Sequence, residues 1–196
     1  MTLAARRRFP RHAGDLLTAG RVVLTPVFAL LVWHAPRAVA AGWAAGLLFP
    51  LIAASDFLDG RVARRAGVPS AVGRVLDHGA DITFIVVTLS TYAALDVIPW
   101  WVPAAVAISF ATYVFDSWRH RAGTQVRLIP SRIGHLGGVC NWVLIGILVY
   151  NTSVAIDLLP RVVLEACFAA VPLYSGAAIA ERRLGWRTSK AVDIAS

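Results

Sequence analysis

The sequence predicts an all-α membrane protein, with six transmembrane helices and a polar active-site groove on the cytoplasmic side. Of its 196 residues 58% are hydrophobic and only 15% are charged, which is too little polar surface for a soluble domain. Six apolar stretches are long enough to cross a bilayer, at about 20 residues each. Two of these stretches are bordered by four aspartates: Asp56, Asp59, Asp77 and Asp81.

The length allows one domain over residues 1–196, because six spans of about 20 residues leave only short loops. Residues 1–14 are predicted as a basic juxtamembrane segment that leads into a span rather than a cleavable signal peptide, and residues 181–196 as a polar, basic tail. The net charge of +8 is dispersed among apolar segments. That distribution is typical of topology signals and contacts with anionic lipid, so we expect a lipid bilayer and no nucleic acid as partner.

The first three spans are predicted over residues 16–33, 38–58 and 75–98. Arg21 lies about one turn inside the first span, where it either snorkels to the interface or pairs with an acidic side chain. Residues 67–70 contain glycine, proline and serine and break the chain between the second and third spans. An antiparallel arrangement of these two spans brings their aspartates to the same side of the membrane.

The last three spans are predicted over residues 102–118, 133–150 and 159–179. Cys140 and Cys167 fall within spans and are interpreted as small apolar core residues rather than a disulfide or a metal pair. In the sixth span Glu165 follows a basic residue by four positions. It either forms an ion pair with Arg161 on one helix face or belongs to a proton relay.

Basic residues concentrate in the loops on one side of the predicted bundle. By the positive-inside bias, both termini and the aspartates face the cytoplasm, and the protein is a multi-pass protein of the cell membrane. The arginines that carry this prediction are Arg6, Arg7, Arg8, Arg11, Arg61, Arg64, Arg65, Arg74, Arg119, Arg121, Arg127, Arg132, Arg182, Arg183 and Arg187.

The four aspartates predict a site for divalent cations. Asp56 and Asp59 are three residues apart and Asp77 and Asp81 four apart, so on helices each pair projects from one face. Clustered carboxylates need a counter-charge, and oxygen-only ligands suit Mg²⁺, Mn²⁺ or Ca²⁺. A site with two such ions suits phosphoryl-type displacement. The alternative, helix caps and surface acids, is disfavoured by the apolar flanks.

The stretch 56–81 resembles the signature D-x-x-D-G-x-x-A-R-(eight residues)-G-x-x-x-D-x-x-x-D of the CDP-alcohol phosphatidyltransferases. All eight positions are filled, by Asp56, Asp59, Gly60, Ala63, Arg64, Gly73, Asp77 and Asp81. The resemblance implies an enzyme that moves a phosphatidyl group from CDP-diacylglycerol to a small polar alcohol and releases CMP. It also implies Mg²⁺ or Mn²⁺, with two ions bound, and a homodimer.

The resemblance implies a role for each aspartate. Asp56, Asp59 and Asp77 would be metal ligands, while Asp81 would complete the metal shell and act as the catalytic base that takes the hydroxyl proton. A carboxylate beside divalent cations binds protons less readily, so Asp81 can act as a base only with a weak or one-sided metal contact.

The same resemblance implies a pocket for the CDP moiety, lined by Gly60, Ala63, Arg64 and Gly73. The small residues leave room for the cytosine and ribose rings. Arg64 can donate paired hydrogen bonds to phosphate.

The acceptor pocket is predicted at Arg119, Arg127, Arg132 and His135, whose charges suit a phosphorylated alcohol but are equally explained as topology signals. Residues 130–135, Pro-Ser-Arg-Ile-Gly-His, resemble the P-S-x-x-G-K segment of phosphatidylglycerophosphate synthases, with histidine in place of lysine. That resemblance implies glycerol 3-phosphate as the acceptor, with inositol phosphate, serine or another alcohol as alternatives.

A transporter of divalent cations or polar solutes is the alternative from a different class, because acids within membrane segments also mark ion pathways. The predicted acids cluster at one edge of the membrane, and in the other half only Glu165 is comparably polar. This asymmetry favours the enzyme.

Overall fold

A computed structural model describes the backbone of residues 13–66, 71–119 and 131–195. Side chains are described for residues 20–55, 78–119 and 131–184. Within these ranges every regular element is a helix and no strand is present, which confirms the predicted all-α fold.

Six α-helices follow one another along the described chain, and each overlaps one of the six predicted apolar stretches. They are α1 (Ala13–His34), α2 (Val39–Ala66), α3 (Ala71–Ala94), α4 (Trp101–Arg119), α5 (Arg132–Leu148) and α6 (Arg161–Ala195). A π-helical turn, Val149–Ser153, continues α5.

Several helix boundaries differ from the predicted spans, and two of the differences are explained by the local sequence. Helix α3 ends at Ala94 instead of 98, because the chain turns through Asp96, whose φ of 57° is left-handed. Aspartate tolerates this conformation better than most residues, and it terminates helices. Helix α6 continues to Ala195, although residues 181–196 were predicted as a polar tail. No proline follows Pro172, and most residues there are good helix formers.

The helices form two groups that α3 joins. In one group α1 packs against both α2 and α3, and in the other α6 packs against both α4 and α5. Helix α3 also contacts α4 and α5. Rings from three helices meet in the core: Phe28 and Phe84 lie 5.2 Å apart between centroids, and Phe84 stacks on Trp142 at 5.0 Å. Aromatic pairs of this kind add stability beyond their buried area.

Contacts between helices define two ends of the bundle. Toward the end called here the aspartate end, Arg21 in the first half of α1 pairs with Asp81 in the first half of α3. On α6, Arg182 also binds the middle of α4, and Glu181 binds the N-cap of α5 there. At the opposite end, Tyr92 near the end of α3 hydrogen-bonds the hydroxyl of Ser153 at 3.0 Å.

The opposite end depends on a close approach between α2 and the π-helical turn. A Cβ atom added to Gly42 would lie 1.8 Å from the carbonyl oxygen of Ser153. One turn later, a Cβ added to Gly46 would lie 2.6 Å from Val154, and the Tyr150 hydroxyl donates to the Gly46 carbonyl at 3.0 Å. Glycine is required at both positions because any side chain would push the segments apart.

The surface is strongly apolar, which indicates a membrane protein. Within the described residues two helical segments are long and apolar enough to cross a membrane, Arg132–Ser153 and Arg161–Leu184, and two shorter apolar helical segments lie at Gly20–His34 and Val39–Ser55. Large apolar side chains are widely exposed, among them Leu173 at 73%. Large apolar side chains exposed in such number are typical of a surface that contacts lipid or a partner.

Both cysteines have free thiols, but only one of the two lies in the core, where both were predicted. Cys167 is partly buried and packs against the core. Cys140 is exposed, so its interpretation as a core residue is wrong. The buried face of α5 passes through Gly137, Asn141 and Leu144, and position 140 lies off that face.

Candidate active site

Asp81 forms a buried ion pair with Arg21, from α3 to α1. The Nη1 group of Arg21 donates a hydrogen bond to Oδ1 of Asp81. The arginine side chain is 1% exposed and the aspartate side chain 19%. Of the two alternatives for Arg21, pairing with an acid is therefore the correct one. A charge this deeply buried persists only with a partner, because losing that partner costs several kcal/mol.

The burial of Arg21 follows from its place on the inner face of α1. Thr25, Phe28 and Val32 are also buried and follow Arg21 at the spacing of one helical face. The Thr25 hydroxyl donates to the Arg21 carbonyl at 2.8 Å. The spacing of these residues on one helix face can be read from the sequence. It places Arg21 on the face that packs in the core, which argues against a side chain that snorkels to the membrane interface.

A row of ring contacts connects the α3 side of the site to α4 and α6. The His78 ring, one turn before Asp81, meets the Tyr113 ring edge-on at 5.5 Å and the Phe110 ring at 6.1 Å. The guanidinium of Arg182 lies 5.7 Å from the centre of the Tyr113 ring. Stacking of this kind suits the planar arginine head group.

Arg182 is a buried residue that the sequence prediction missed, because it was placed in a polar tail. It is 4% exposed. Its Nη2 group donates to the Ser109 carbonyl at 2.9 Å and to the Thr112 hydroxyl at 3.1 Å, both on α4. The buried stripe of α6 could have located it, because Val171, Ser175 and Ala178 precede it at one-face spacing.

Glu181, also placed in the predicted tail, holds the start of α5. Its Oε2 accepts hydrogen bonds from the Ser131 hydroxyl at 2.6 Å and the Ile133 amide at 3.1 Å, and its Oε1 accepts from the Arg132 amide at 3.3 Å. The Ser131 hydroxyl caps the helix by accepting from the Gly134 amide at 2.8 Å. A carboxylate at a helix N-terminus is stabilised by unpaired amides and by the helix dipole.

The residues predicted for the acceptor pocket lie at the aspartate end as far as they are described. Arg119 is the last residue of α4, and Arg132 and His135 lie in the first turn of α5; all three are exposed. Arg127 lies outside the described residues. The structure thus brings three of the four to the ends of neighbouring helices without burying them.

Arg161 and Glu165 lie at the other end of the bundle and pair with each other. The Arg161 Nε group donates to the Glu165 carboxylate at 3.1 Å, and both side chains are 60% exposed. The pairing prediction is confirmed, and the geometry gives no support to a buried proton relay through Glu165.

Residues 11–174 match the sequence profile of the family described as CDP-alcohol phosphatidyltransferase. The chain belongs to the CDP-alcohol phosphatidyltransferase family. The match contains the whole signature stretch 56–81 and Arg21, and it ends before Glu181 and Arg182.

Three relatives share parts of the sequence. A cardiolipin synthase (CMP-forming) of Streptomyces coelicolor is 34% identical over 91 residues, which cover 44% of this chain and 41% of the relative. A probable phosphatidylglycerophosphate synthase of Mycobacterium tuberculosis is 32% identical over 108 residues, which cover 53% of this chain and 50% of the relative. The CDP-diacylglycerol–glycerol-3-phosphate 3-phosphatidyltransferase of Escherichia coli is 28% identical over 151 residues, which cover 72% of this chain and 79% of the relative. The chain thus spans about half the length of the first two relatives.

The family signature lies on the last turns of α2 and the first turns of α3. Asp56, Asp59, Gly60, Ala63 and Arg64 belong to the helical backbone of α2, and Gly73 and Asp77 to that of α3. Their side chains lie outside the described residues. Among the side chains that the structure does describe, no three His, Cys, Asp or Glu residues form a group that could hold a metal. Their metal and nucleotide roles in this family member therefore remain predictions.

Proposed function

We propose that this protein transfers the phosphatidyl group of CDP-diacylglycerol to glycerol 3-phosphate and releases CMP, as a membrane enzyme of phospholipid biosynthesis. The observation that carries the proposal is the complete eight-position signature within the matched family range. It lies on two helices, α2 and α3, that both pack against α1. Four carboxylates with a buried arginine nearby suit a substrate that carries a diphosphate.

Mg²⁺ or Mn²⁺ is the proposed cofactor, held by Asp56, Asp59, Asp77 and Asp81. The donor set fits, because it consists of carboxylate oxygens, which hard divalent cations prefer. The one ligand whose side chain is described fits as well. Arg21 binds Oδ1 of Asp81, and Oδ2 accepts no hydrogen bond from the described side chains. The bound ions would polarise the diphosphate and offset the charge that develops on it.

The protein side chains would carry out the remaining steps. Arg64 would hold the diphosphate by paired hydrogen bonds, and Gly60, Ala63 and Gly73 would leave room for the nucleoside. The acceptor hydroxyl oxygen would bond to the phosphorus that bears the diacylglycerol, as the bond from that phosphorus to the CMP oxygen breaks. Asp81 would take the hydroxyl proton, and CMP would leave with the bonding electron pair.

Glycerol 3-phosphate is the proposed acceptor for two reasons. Two of the relatives are named for phosphatidylglycerophosphate or glycerol 3-phosphate. Exposed Arg119, Arg132 and His135 lie at the aspartate end, where they could bind a phosphate. The α5 amides already bind Glu181, so the phosphate would be bound by side chains and not by the helix N-terminus.

A second product is favoured by one observation. The relative with 34% identity is named cardiolipin synthase (CMP-forming), so cardiolipin is the alternative lipid product. Inositol phosphate and serine remain alternative acceptors from the sequence.

We also propose that all six helices cross the cell membrane, with both termini and the aspartate end in the cytoplasm, and that the protein forms a homodimer. The basic loops favour this orientation. Exposed Trp100 and Trp101 at the start of α4 and Trp118 at its end fit the two interfaces of a bilayer. Fusing a reporter that is active only in the cytoplasm to residue 196 tests the orientation, and an inactive reporter would contradict it.

The function is tested by supplying the purified protein with CDP-diacylglycerol, Mg²⁺ or Mn²⁺, and one alcohol at a time. CMP release with glycerol 3-phosphate is expected, together with a new phospholipid. A cardiolipin product or release with another alcohol would reassign the acceptor. The absence of CMP with every acceptor, together with metal flux into liposomes, would favour the transporter and reject the enzyme.

A further inference from the structure

Arg21 is the largest fully buried side chain of the described residues, and it lies on α1, the helix against which both α2 and α3 pack. Placing a guanidinium in this apolar environment costs several kcal/mol unless a carboxylate pairs with it. A neutral residue would serve packing without this desolvation cost. The position therefore calls for an explanation beyond stability.

The geometry of the pair separates the two oxygens of Asp81. Oδ1 accepts from Arg21, while Oδ2 has no donor among the described side chains. The aspartate side chain retains 19% exposure, whereas Arg21 has almost none. One carboxylate oxygen thus accepts from a buried arginine, and the other accepts no hydrogen bond from the described side chains.

We infer that Arg21 is a positioning residue for the proposed reaction: it holds Asp81 through Oδ1 so that Oδ2 alone faces the metal or the acceptor hydroxyl. This inference rests on the proposed function. It also resolves the conflict between the two roles of Asp81, because a carboxylate with one oxygen held by an arginine makes only a one-sided metal contact. The unit positive charge of Arg21 would further weaken the attraction between Asp81 and a divalent cation.

Four variants test the inference: Arg21→Met, Arg21→Lys, Asp81→Asn and the double variant of Arg21→Met with Asp81→Asn. Arg161→Met is the matched control, since it removes an arginine from an exposed ion pair of little energetic weight. The measurements are kcat, the KM for CDP-diacylglycerol, Mn²⁺ binding followed by electron paramagnetic resonance, and thermal unfolding in detergent.

Loss of Arg21 should lower kcat while leaving substrate binding intact. For Arg21→Met we expect kcat to fall roughly 100-fold, the effect of misplacing a reacting group by about 1 Å, with KM changed by less than about threefold. Arg21→Lys should recover part of kcat, because it restores the charge but not the planar fork. Arg161→Met should behave like the unaltered protein.

The Mn²⁺ measurement separates positioning from folding. Removing a positive charge beside the site should tighten Mn²⁺ binding about tenfold in Arg21→Met, because the cation is no longer repelled. A residue that only supports the fold would show the reverse, weaker Mn²⁺ binding together with a lower unfolding temperature. That reverse result would overturn the inference.

The double variant shows whether Arg21 acts through Asp81, and it avoids the carboxylate that Arg21→Met leaves without its arginine. We expect its kcat to equal that of Asp81→Asn, because the inferred contribution of Arg21 to the rate passes through the Asp81 carboxylate. The inference would be overturned if the fold losses of kcat in the two single variants multiplied in the double variant. A normal kcat in Arg21→Met would overturn it as well. If the unaltered protein releases no CMP, the proposed function fails, and the Mn²⁺ comparison still tests the role of Arg21.

Discussion

Substituting Gly42 by alanine tests the structural role of the end opposite the aspartates. A Cβ atom there would lie 1.8 Å from the Ser153 carbonyl oxygen and 2.9 Å from its carbonyl carbon. Both atoms are backbone, so neither can rotate away. Ordinary contact begins near 3.4 Å, and α2 and the π-helical turn would have to separate by about 1.5 Å.

The size of the effect follows from two opposing terms. Overpacking of this kind costs about 3 kcal/mol, whereas replacing glycine by alanine inside a helix gains about 1 kcal/mol. The net loss of about 2 kcal/mol should lower the unfolding temperature by about 5 °C for a chain of this length. Gly138→Ala is the matched control, because a Cβ there meets nothing within 4 Å. It should raise the unfolding temperature by about 3 °C.

Thermal unfolding of the three proteins in one detergent, followed by circular dichroism, measures both shifts. CMP release at a temperature below unfolding should be unchanged in Gly42→Ala, because position 42 lies at the opposite end from Asp81. Equal unfolding temperatures for the two alanine variants would refute the close approach of α2 and Ser153. A selective loss of kcat in a folded Gly42→Ala protein would show that this end takes part in catalysis.

Three further predictions concern the aspartate end. Arg182→Met removes two hydrogen bonds that the guanidinium donates to α4, so it should cost about 1–3 kcal/mol in a thermal unfolding measurement; an unchanged unfolding temperature would contradict this. Glu181→Gln weakens the hold on the α5 amides and should raise the KM for glycerol 3-phosphate roughly fivefold, with the KM for CDP-diacylglycerol unchanged as the internal control. Removing divalent cations with EDTA should abolish CMP release, and Mn²⁺ should restore it; release that persists in EDTA would exclude the metal site.

Sequence patterns located the helices well because the relevant forces are local or periodic. Apolar length predicts a helix in a membrane-grade segment, and all six predicted stretches overlap helices. Boundaries were less accurate. The end of α3 depends on a left-handed turn at Asp96, and α6 continues past the apolar stretch because the polar residues that follow can also form a helix.

Pairings between residues far apart in the sequence were the part of the candidate site that was harder to predict. The sequence left Arg21 with two alternatives, because the choice depends on a contact 60 positions away. Arg182 and Glu181 were assigned to a tail because they lie in a basic, polar run. The periodicity of the buried face of α6 would have separated Arg182, which faces α4, from its exposed neighbour Arg183.

The most direct test of the proposed reaction uses radiolabelled glycerol 3-phosphate with CDP-diacylglycerol and Mn²⁺, and measures CMP and labelled lipid in the same sample. The unaltered protein should form labelled phosphatidylglycerophosphate and CMP in equal amounts, and Asp81→Asn should form little of either. CMP release by Asp81→Asn near the unaltered rate would remove Asp81 as the base. The absence of both products with the unaltered protein would contradict phosphatidyl transfer to glycerol 3-phosphate.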